Sequence, residues 1–540
     1  MSSEKTAAHE VFFTSAWGCA LLAGVLVAVF YGAALGFELV WDDQIWVNEF
    51  RRHDLLSLLK TNLTDHTLVS YYRPLVAAVL TLQLAVSQSP VFLHGLNLAL
   101  HLLNLWLVIA LARRTHSARP ALLLPLAITV LAIHPILVEP VVWVSGRFDL
   151  FYTFFLLLSL LAATRIESPS RRFIAVTLAF FAALCCKEST LAYVAVGPLL
   201  VACMVRRASL HDRPAIATQA GWHGAALLTG CALYLSLRVG YLQLPLVKDT
   251  AFQVQTHNAA GEHLLLIART LGTYLQMTLL PLWNLAPLHE MGSDPGAVYG
   301  YAGLGAVALV LAVAGLRWPA LLPFSVWALA LAPAANLVPL RLDLVQNRYL
   351  YFPIFAATLT ALSGPGINHP APRTRRWLWL LTALWLCALA VTNLSITRLW
   401  HDGVSLFSWA VTARPDSHFA LENLALAHQT AGDFGQAIAV EKRIPERARS
   451  FQGRLLLARA TRDQGDVADA VALFKEALAT PAYDDAMQVS AIYELALVYR
   501  QLGDAQASAA QAAAAETLAK RQRVSARLCN YYRQALGEQR

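Results

Sequence analysis

Residues 91–112 read VFLHGLNLALHLLNLWLVIALA, a run of 22 residues without a single Asp, Glu, Lys or Arg. About 20 apolar residues in a helix are enough to cross the hydrocarbon core of a bilayer, so this stretch predicts a membrane span. Polar side chains inside a membrane face other helices or a wet cavity. The polar residues that share one helix face are His94, Asn97, His101 and Asn104. They indicate either hydrogen bonds between helices or part of a site.

The composition of the whole chain agrees with a membrane protein. Of 540 residues, 57 % are hydrophobic and 14 % are charged, whereas soluble proteins carry roughly 25 % charged residues. The net charge of +8, from 42 Lys and Arg against 34 Asp and Glu, does not indicate nucleic-acid binding, because basic residues collect beside membrane spans. Six of the seven cysteines lie in apolar stretches without CxxC spacing, which argues against a disulfide framework or a cysteine metal site.

Further apolar runs predict an all-α membrane domain over residues 1–400. The other ten predicted spans are 11–37, 120–138, 150–164, 173–186, 189–205, 220–237, 298–315, 319–339, 349–363 and 377–396. The run 11–37 is too long for a cleavable signal peptide and is interpreted as an uncleaved first span. The segments 74–88 and 262–283 are short or carry charges, and we interpret them as interfacial or re-entrant. The predicted count is eleven spans, or up to thirteen if both segments cross.

Arginine-rich connectors set the predicted orientation. Clusters around Arg113, Arg171, Arg206 and Arg375 belong in the cytoplasm by the positive-inside bias. The N-terminus is then cytoplasmic, and the C-terminal domain lies on the outer face. The other outer segments are 38–90, 139–149, 238–297 and 340–348.

Residues 404–540 predict a soluble helical repeat domain. Gly-Asp recurs at Gly432, Gly465 and Gly503, with spacings of 33 and 38 residues. A period near 34 with small residues at helix crossings is typical of tetratricopeptide repeats, which stack into a solenoid. About three repeats are present, and the alternative is an unrelated helical bundle. A solenoid of this kind predicts a protein partner.

Five polar clusters, far apart in sequence, fall on the predicted outer face. They are Asp42 and Asp43; Tyr72 and Arg73; His134, Glu139, Arg147 and Asp149; Lys187 and Glu188; and Arg341, Arg348, Tyr349 and Tyr351. Each has an ordinary structural alternative, such as a solvated acidic pair at a helix end or a local ion pair in a connector. Arginine on the outer face opposes the positive-inside bias, and a bound phosphate would explain its presence there.

The acidic and basic clusters are chemically complementary. A carboxylate can remove the proton of an acceptor, while Arg and Lys can hold and stabilise a leaving phosphate. This combination predicts group transfer from a lipid-linked phosphate donor at the outer face. His94 and His101 stand two helical turns apart, roughly 10 Å, so they cannot share one zinc ion.

Several of these motifs together resemble a known family. The motifs are Asp42-Asp43, Tyr72-Arg73-Pro74-Leu75, His94-x-x-Asn97-x-x-x-His101, His134-Pro135-x-x-x-Glu139, Gly146-Arg147-x-Asp149, Lys187-Glu188 and Arg348-Tyr349-Leu350-Tyr351. With the domain order, they resemble the transmembrane and tetratricopeptide-repeat-containing O-mannosyltransferases and their bacterial relatives. The resemblance runs from about residue 38 into the repeats. This chain differs in having about three repeats, where the eukaryotic members have long arrays.

The resemblance implies a GT-C glycosyltransferase that uses a polyprenyl-phosphate sugar on the periplasmic or lumenal side. It also implies that Asp42 or Asp43 is the catalytic base and that the segment after Pro74 is interfacial. The leading hypothesis is an inverting enzyme of a bacterial inner membrane that glycosylates a protein hydroxyl. Its predicted donor-phosphate ligands are Arg73, Arg147, Lys187 and Arg348. The other polar residues of the clusters and of the span 91–112 are predicted to support the site.

Three points stay open at the level of sequence. No cofactor is required by this hypothesis, but a divalent cation such as Mg²⁺ or Mn²⁺ at Asp42 and Asp43 is an alternative. The same fold could glycosylate a lipid or a glycan instead of a protein. The protein could also be a membrane scaffold or transporter whose repeats bind a partner, although a transporter is expected to show inverted repeats and broken helices at the membrane midplane.

Overall fold

A computed structural model of the chain describes residues 15–44, 46–47, 55–60, 71–113, 122–208, 213–244, 260–289, 294–337, 345–364, 372–482, 485–522 and 526–537. Within these ranges, all regular secondary structure is helical, as the sequence predicts. The described residues up to Asp402 form one compact unit, and those from Gly403 onward form a second. We call them the membrane unit and the repeat unit.

The membrane unit consists of helices joined by short turns of 3₁₀ helix. Its α-helices are α1 (Ala16–Tyr31), α2 (Leu55–Lys60), α3 (Pro74–Val86), α4 (Pro90–Ala112), α5 (Leu123–Ile133), α6 (Val138–Val142), α7 (Arg147–Arg165), α8 (Pro169–Leu184), α9 (Tyr193–Ala208), α10 (Arg213–Leu235), α11 (Ala260–Leu279), α12 (Pro295–Gly315), α13 (Leu322–Leu331), α14 (Tyr351–Ser363) and α15 (Pro372–Leu399). The 3₁₀ helices are Gly32–Gly36, Pro135–Leu137, Val144–Gly146, Glu188–Ala192, Ala332–Ala334 and Asn347–Leu350, and a π-helix covers Ser236–Tyr241.

Six of the described helices are long and apolar enough to cross a membrane, which makes this a multi-pass membrane protein. They are Ala16–Gly36, Pro90–Ala112, Val144–Arg165, Glu188–Val205, Pro295–Gly315 and Thr374–Leu399. A seventh possible span is the pair Leu123–Ile133 and Pro135–Val142, which is bent by 50°. The predicted spans 173–186, 220–237, 319–339 and 349–363 are also helical, but they are shorter or less apolar. Six of the eleven predicted spans are therefore confirmed as helices of sufficient length and apolarity, or seven if the bent pair is one span.

The two segments interpreted as interfacial or re-entrant are both helical. Helix α3 has 13 residues and is about 20 Å long, too short to cross a hydrocarbon core of about 30 Å. Helix α11 packs closely against α12, because Gly272 of α11 and Gly305 of α12 lie directly against the facing backbone. A Cβ atom at either position would come within 1.8 Å of a carbonyl oxygen of the other helix. Glycine at both positions therefore permits this crossing.

Helices α4 and α7 form the centre of the membrane unit. They pack against each other, α1 packs against α4 and α5, and α8 packs against α7 and α10. Within the six apolar helices, α4 and the one that includes α7 have the largest buried fraction. Their interior position explains why α4 tolerates four polar residues, since buried polar groups can find partners on neighbouring helices.

In the repeat unit, the Gly-Asp repeats are the turns between paired helices. Its helices are α16 (Gly403–Ala413), α17 (His418–Thr430), α18 (Phe434–Glu441), α19 (Phe451–Gln464), α20 (Val467–Leu478), α21 (Asp485–Gln501), α22 (Ala505–Arg521) and α23 (Ala526–Ala535). Gly432, Gly465 and Gly503 all have positive φ, of +84°, +110° and +78°, which favours glycine. The sequence period thus corresponds to three successive helix pairs, and consecutive helices contact each other.

A buried carboxylate in the repeat unit predicts a pH-dependent stability. Glu441 is fully buried, and its carboxylate lies with that of Glu422 against Gly453. Burial raises the pKa of Glu441 to about 7, with a further contribution from Glu422 and an opposing one from Arg449. The unfolded chain loses this proton near pH 4.5 and the folded chain near pH 7. Stability is therefore lost as the pH rises through that range.

We expect Glu441→Gln to be as stable as the wild type at pH 5 and more stable at pH 8.5, by on the order of 2 kcal/mol. Hydrogen exchange of residues 434–464 in the full-length protein measures this, with both proteins compared at the same pH. The control is Glu446→Gln, because Glu446 is exposed. A stability difference that does not change with pH would contradict the assignment.

Candidate functional site

Three ion pairs form the charged centre of the membrane unit. They join Arg73 Nη2 to Glu188 Oε2 (2.9 Å), Lys187 Nζ to Asp149 Oδ1 (2.6 Å), and Arg348 Nη1 to Glu139 Oε1 (2.7 Å). We call these six residues the ion-pair cluster. They come from four separate outer segments of the sequence prediction, and each pair joins residues more than 35 positions apart.

Aromatic rings lie against the cations of all three pairs. The Tyr349 ring centroid lies 4.8 Å from Lys187 Nζ and 5.6 Å from the Arg348 guanidinium. The Arg73 guanidinium lies 4.0 Å from the Tyr71 ring centroid and 4.9 Å from that of Phe148. Cations over aromatic faces gain about 0.5–2 kcal/mol each. The rings therefore stabilise positive charge at three neighbouring points.

The Lys187–Asp149 pair is the most buried part of the cluster. Lys187 Nζ contacts both carboxylate oxygens of Asp149, at 2.6 and 2.7 Å, and both side chains are buried. Burial lowers the pKa of Lys187 to about 8, Asp149 opposes this, and the nearby Arg348 and Arg73 lower it further. The Tyr349 ring lies beside both Lys187 and Arg348, and Arg73 pairs with Glu188, the residue after Lys187. The three cations therefore lie in one region.

Arg348 is held between a carboxylate and indole rings. Its guanidinium pairs with Glu139 and lies 4.9 Å from the Trp143 ring centroid and 5.8 Å from that of Trp41. Glu139 raises the pKa of Arg348 above its ordinary value against the effect of burial. Trp41 stacks on Trp143 at 4.9 Å and has a positive φ of 55°. Such strained backbone in a non-glycine residue is concentrated at functional sites.

The two adjacent carboxylates, Asp42 and Asp43, have different environments. Asp43 is 0 % exposed and accepts hydrogen bonds from the Ser145 backbone N–H (2.7 Å), the Ser145 hydroxyl (2.5 Å) and the Val40 N–H (3.3 Å). Burial raises the pKa of Asp43 to about 7, while the bonds from Ser145 and the charge of Arg147 lower it. A cavity of about 10 Å³, about the space that one water molecule needs, lies beside it. Asp43 therefore connects two segments of the membrane unit.

Asp42, in contrast, is half-buried and lies near the ion-pair cluster. Burial raises the pKa of Tyr71, and the charged groups that act on this phenol are Arg73, Glu188, Arg348 and Asp42. Asp42 also directly follows Trp41, whose ring centroid lies 5.8 Å from the Arg348 guanidinium. The arrangement distinguishes the two aspartates, which the sequence alone could not do.

The polar face of α4 connects helices. Asn97 donates to the Trp143 carbonyl (2.6 Å), His101 Nδ1 lies 2.8 Å from the Tyr351 hydroxyl, and Asn104 donates to the Leu150 carbonyl at 3.1 Å. His94 is buried on the same face. This arrangement favours the structural interpretation for Asn97, His101 and Asn104, whose hydrogen bonds connect α4 to the end of α6, to α14 and to α7.

Other predicted site residues also have protein partners. Arg147 is buried and donates to Gln83 Oε1 (2.8 Å) and to the carbonyls of Leu93 (3.0 Å) and Val144 (2.9 Å). Its guanidinium thereby connects α3, α4 and the 3₁₀ helix Val144–Gly146. The predicted phosphate contact of Arg147 stays a prediction.

Two further predicted residues support neighbouring segments, and one cannot be placed. His134 Nε2 lies 3.1 Å from the Thr278 carbonyl, and the Tyr72 hydroxyl donates to the Leu59 carbonyl at 3.0 Å. Arg341 lies outside the described residues. Across the residues that the structure covers, no group of three or more His, Cys, Asp or Glu side chains could hold a metal ion.

Sequence reasoning missed one arginine of this region. Arg238 is buried, lies on the π-helix Ser236–Tyr241, and has its Nη1 atom 4.0 Å from Glu188 Oε1. It opens the predicted outer segment 238–297, where arginine opposes the positive-inside bias. That same criterion, applied to isolated arginines as well as to clusters, would have selected it.

Comparisons of this chain with protein-family models, with curated proteins and with solved structures found no match. The helices define a multi-pass α-helical membrane protein. What the protein does must therefore be inferred from the arrangement of its own residues.

Proposed function

We propose that this protein is an inverting glycosyltransferase of the GT-C type in a bacterial inner membrane. It would transfer a sugar from a polyprenyl-phosphate donor to a protein hydroxyl on the periplasmic face. The observation that carries the proposal is the proximity of the three cations Arg73, Lys187 and Arg348 to one another. The half-buried Asp42 directly follows Trp41, whose ring centroid lies 5.8 Å from the Arg348 guanidinium. The resemblance of the sequence motifs to the repeat-containing O-mannosyltransferases supports the same function.

In the proposed reaction, the carboxylate of Asp42 acts on the acceptor and the three cations act on the phosphate of the donor. Asp42 removes the proton of the acceptor hydroxyl as its oxygen attacks the anomeric carbon of the sugar. The bond between that carbon and the phosphate oxygen breaks, and its electron pair leaves with the phosphate. Arg73, Lys187 and Arg348 stabilise the negative charge that develops there. A single displacement of this kind inverts the anomeric configuration.

Asp42 is the preferred base for a geometric reason. A base must come within about 3 Å of the proton that it removes, and Asp43 is enclosed by Ser145, Val40 and the protein interior. Asp43 instead holds the loop that carries Asp42 against the start of the segment Val144–Gly146. The two neighbouring carboxylates would then divide positioning and chemistry between them.

The three helix pairs of the repeat unit support a protein acceptor or partner. Pairs of helices with a period near 34 residues are the structural basis of tetratricopeptide repeats, and such solenoids bind proteins on an extended surface. We propose that this unit recruits the acceptor protein or an assembly partner in the periplasm.

The experiment is transfer of labelled sugar in membranes of a strain that lacks this gene, complemented with the full-length protein. Label from a polyprenyl-phosphate sugar is expected in the protein fraction only after complementation. Recovery of the label in lipid or glycan would support the alternative acceptor, and no transfer to any fraction would contradict the enzyme. An EDTA titration tests the divalent ion, because a metal-dependent reaction stops when the chelator is in excess.

A further inference from the structure

Two arginines enclose the carboxylate of Glu188 from different elements. Arg73 donates to Glu188 Oε2 from Nε (3.1 Å) and Nη2 (2.9 Å), and Arg238 Nη1 lies 4.0 Å from Glu188 Oε1. Each carboxylate oxygen thus faces one guanidinium. The side chains of Arg238 and Arg73 are 2 % and 12 % exposed, and that of Glu188 is 30 % exposed. The two cations lie inside, and the anion occupies the accessible side.

A chain of two hydrogen bonds links the Arg238 guanidinium to the backbone beside Arg73. Arg238 Nη1 donates to the Tyr234 hydroxyl (3.1 Å), and that hydroxyl donates to the carbonyl of Tyr72 (3.3 Å), the residue before Arg73. Arg238 also lies on a π-helix, a local irregularity that occurs frequently at functional sites. The spacing of the two cations is therefore set by the fold before any ligand arrives.

We propose that Glu188 is an internal competitor for the phosphate group of the substrate, at an anion site formed by Arg73 and Arg238. This inference depends on the proposed function for the identity of the phosphate. Two guanidiniums facing one carboxylate leave one positive charge unbalanced, and a phosphate offers more acceptor oxygens to both arginines than a carboxylate does. Glu188 would keep the site occupied in the absence of substrate and move toward solvent when phosphate binds.

The competition has a consequence for the release of product. The donor is a phosphate diester with a single negative charge. The polyprenyl phosphate that leaves is a monoester with a charge of about −1.5 to −2 at neutral pH. The product is therefore held more strongly than the donor by the same two arginines. The return of Glu188 would offset this difference and favour dissociation of the product.

The test is binding of geranylgeranyl phosphate to the purified full-length protein in nanodiscs. Glu188→Gln keeps the shape of the side chain and removes its charge. We expect Glu188→Gln to bind the probe about three- to tenfold more tightly than the wild type does. The reason is that the phosphate then no longer has to break a partly exposed ion pair. The matched control is Glu494→Gln, since Glu494 pairs with Arg459 in the repeat unit, and its affinity should equal that of the wild type. A role of Glu188 in structure alone predicts weaker binding, which is the opposite sign.

Two further probes identify what the site recognises. Inorganic phosphate should show the same ratio between Glu188→Gln and wild type if the phosphate group alone is recognised, and geranylgeraniol should show no difference. Arg238→Met should weaken binding of geranylgeranyl phosphate by about tenfold, with folding checked by gel filtration. If Arg238→Met does not fold, the affinity of Glu188→Gln for geranylgeranyl phosphate still tests the proposal.

An unchanged or weaker affinity in Glu188→Gln would overturn the competition, even if the wild type binds the probe well. Absence of saturable binding in every variant would overturn the anion site itself. The sugar-transfer assay is independent of both results, so a failure of this inference is distinguishable from a failure of the proposed function.

Discussion

The variant Asp42→Asn is expected to lose sugar transfer by a factor of about 10² to 10⁴, the range that general acid–base catalysis contributes. An amide has the shape of the carboxylate but cannot accept the proton of the acceptor hydroxyl. The three cations are unchanged in this variant, so its affinity for a polyprenyl phosphate should stay within about twofold of the wild type. The measurement is the initial rate of transfer from labelled donor, together with binding of geranylgeranyl phosphate.

The adjacent variant Asp43→Asn is the matched control. Its Oδ1 atom can still accept both hydrogen bonds from Ser145, whereas its amide group cannot accept from the Val40 N–H. We therefore expect a modest loss of stability, about 1–3 kcal/mol, and activity that follows the folded fraction. If Asp43→Asn abolished transfer while Asp42→Asn did not, the base would be Asp43. Full activity in both variants would remove the acid–base assignment.

The variant Lys187→Met should show the largest loss of stability. Lys187 and Asp149 are both buried, with a 2.6 Å contact between Nζ and Oδ1. Removal of one partner of a buried ion pair leaves an uncompensated charge and costs about 3–5 kcal/mol. Thermal unfolding of the full-length protein in detergent is the measurement, and the unfolding temperature should fall clearly below that of the wild type.

Two controls separate the ion pair from general effects of the substitution. Lys520→Met removes the same charge from a side chain that is 82 % exposed, and it should change stability by less than about 0.5 kcal/mol. The double variant Lys187→Met with Asp149→Leu removes both charges and should recover part of the loss. If the double variant were less stable than Lys187→Met by the full cost of a second core substitution, the two residues would not be energetically coupled.

Much of the architecture followed from local features of the sequence. The run 91–112 contains enough apolar residues to span a bilayer, and it forms α4. The Gly-Asp period marked the turns of the repeat unit, because glycine alone adopts their positive φ at little cost. Of the eleven predicted spans, six or seven correspond to described helices that are long and apolar enough to cross a membrane. The others stay predictions, since an apolar run in sequence does not reveal where a helix bends or ends.

The candidate site could be predicted only in part from the sequence. All six residues of the ion-pair cluster were selected, because they belong to polar clusters on the predicted outer face, where arginine opposes the positive-inside bias. Their pairing was not predictable, because each pair joins elements distant in sequence. Arg147 satisfied the same criterion but donates to three protein acceptors. Arg238 was missed because its immediate sequence neighbours, Leu237 and Val239, are apolar and it belongs to no polar motif.

The sequence by itself determined the helical membrane class, the boundary near residue 400 and the set of charged residues available for chemistry. These properties depend on local composition and on the repeat period, and both can be determined from the amino-acid sequence without knowing any tertiary contact. Only the tertiary structure decided which of two adjacent aspartates is enclosed and which lies near the cations. It also decided which carboxylate faces which cation. Both depend on contacts between distant segments, and the free energy of a charge is set by the partners and the burial that those contacts provide.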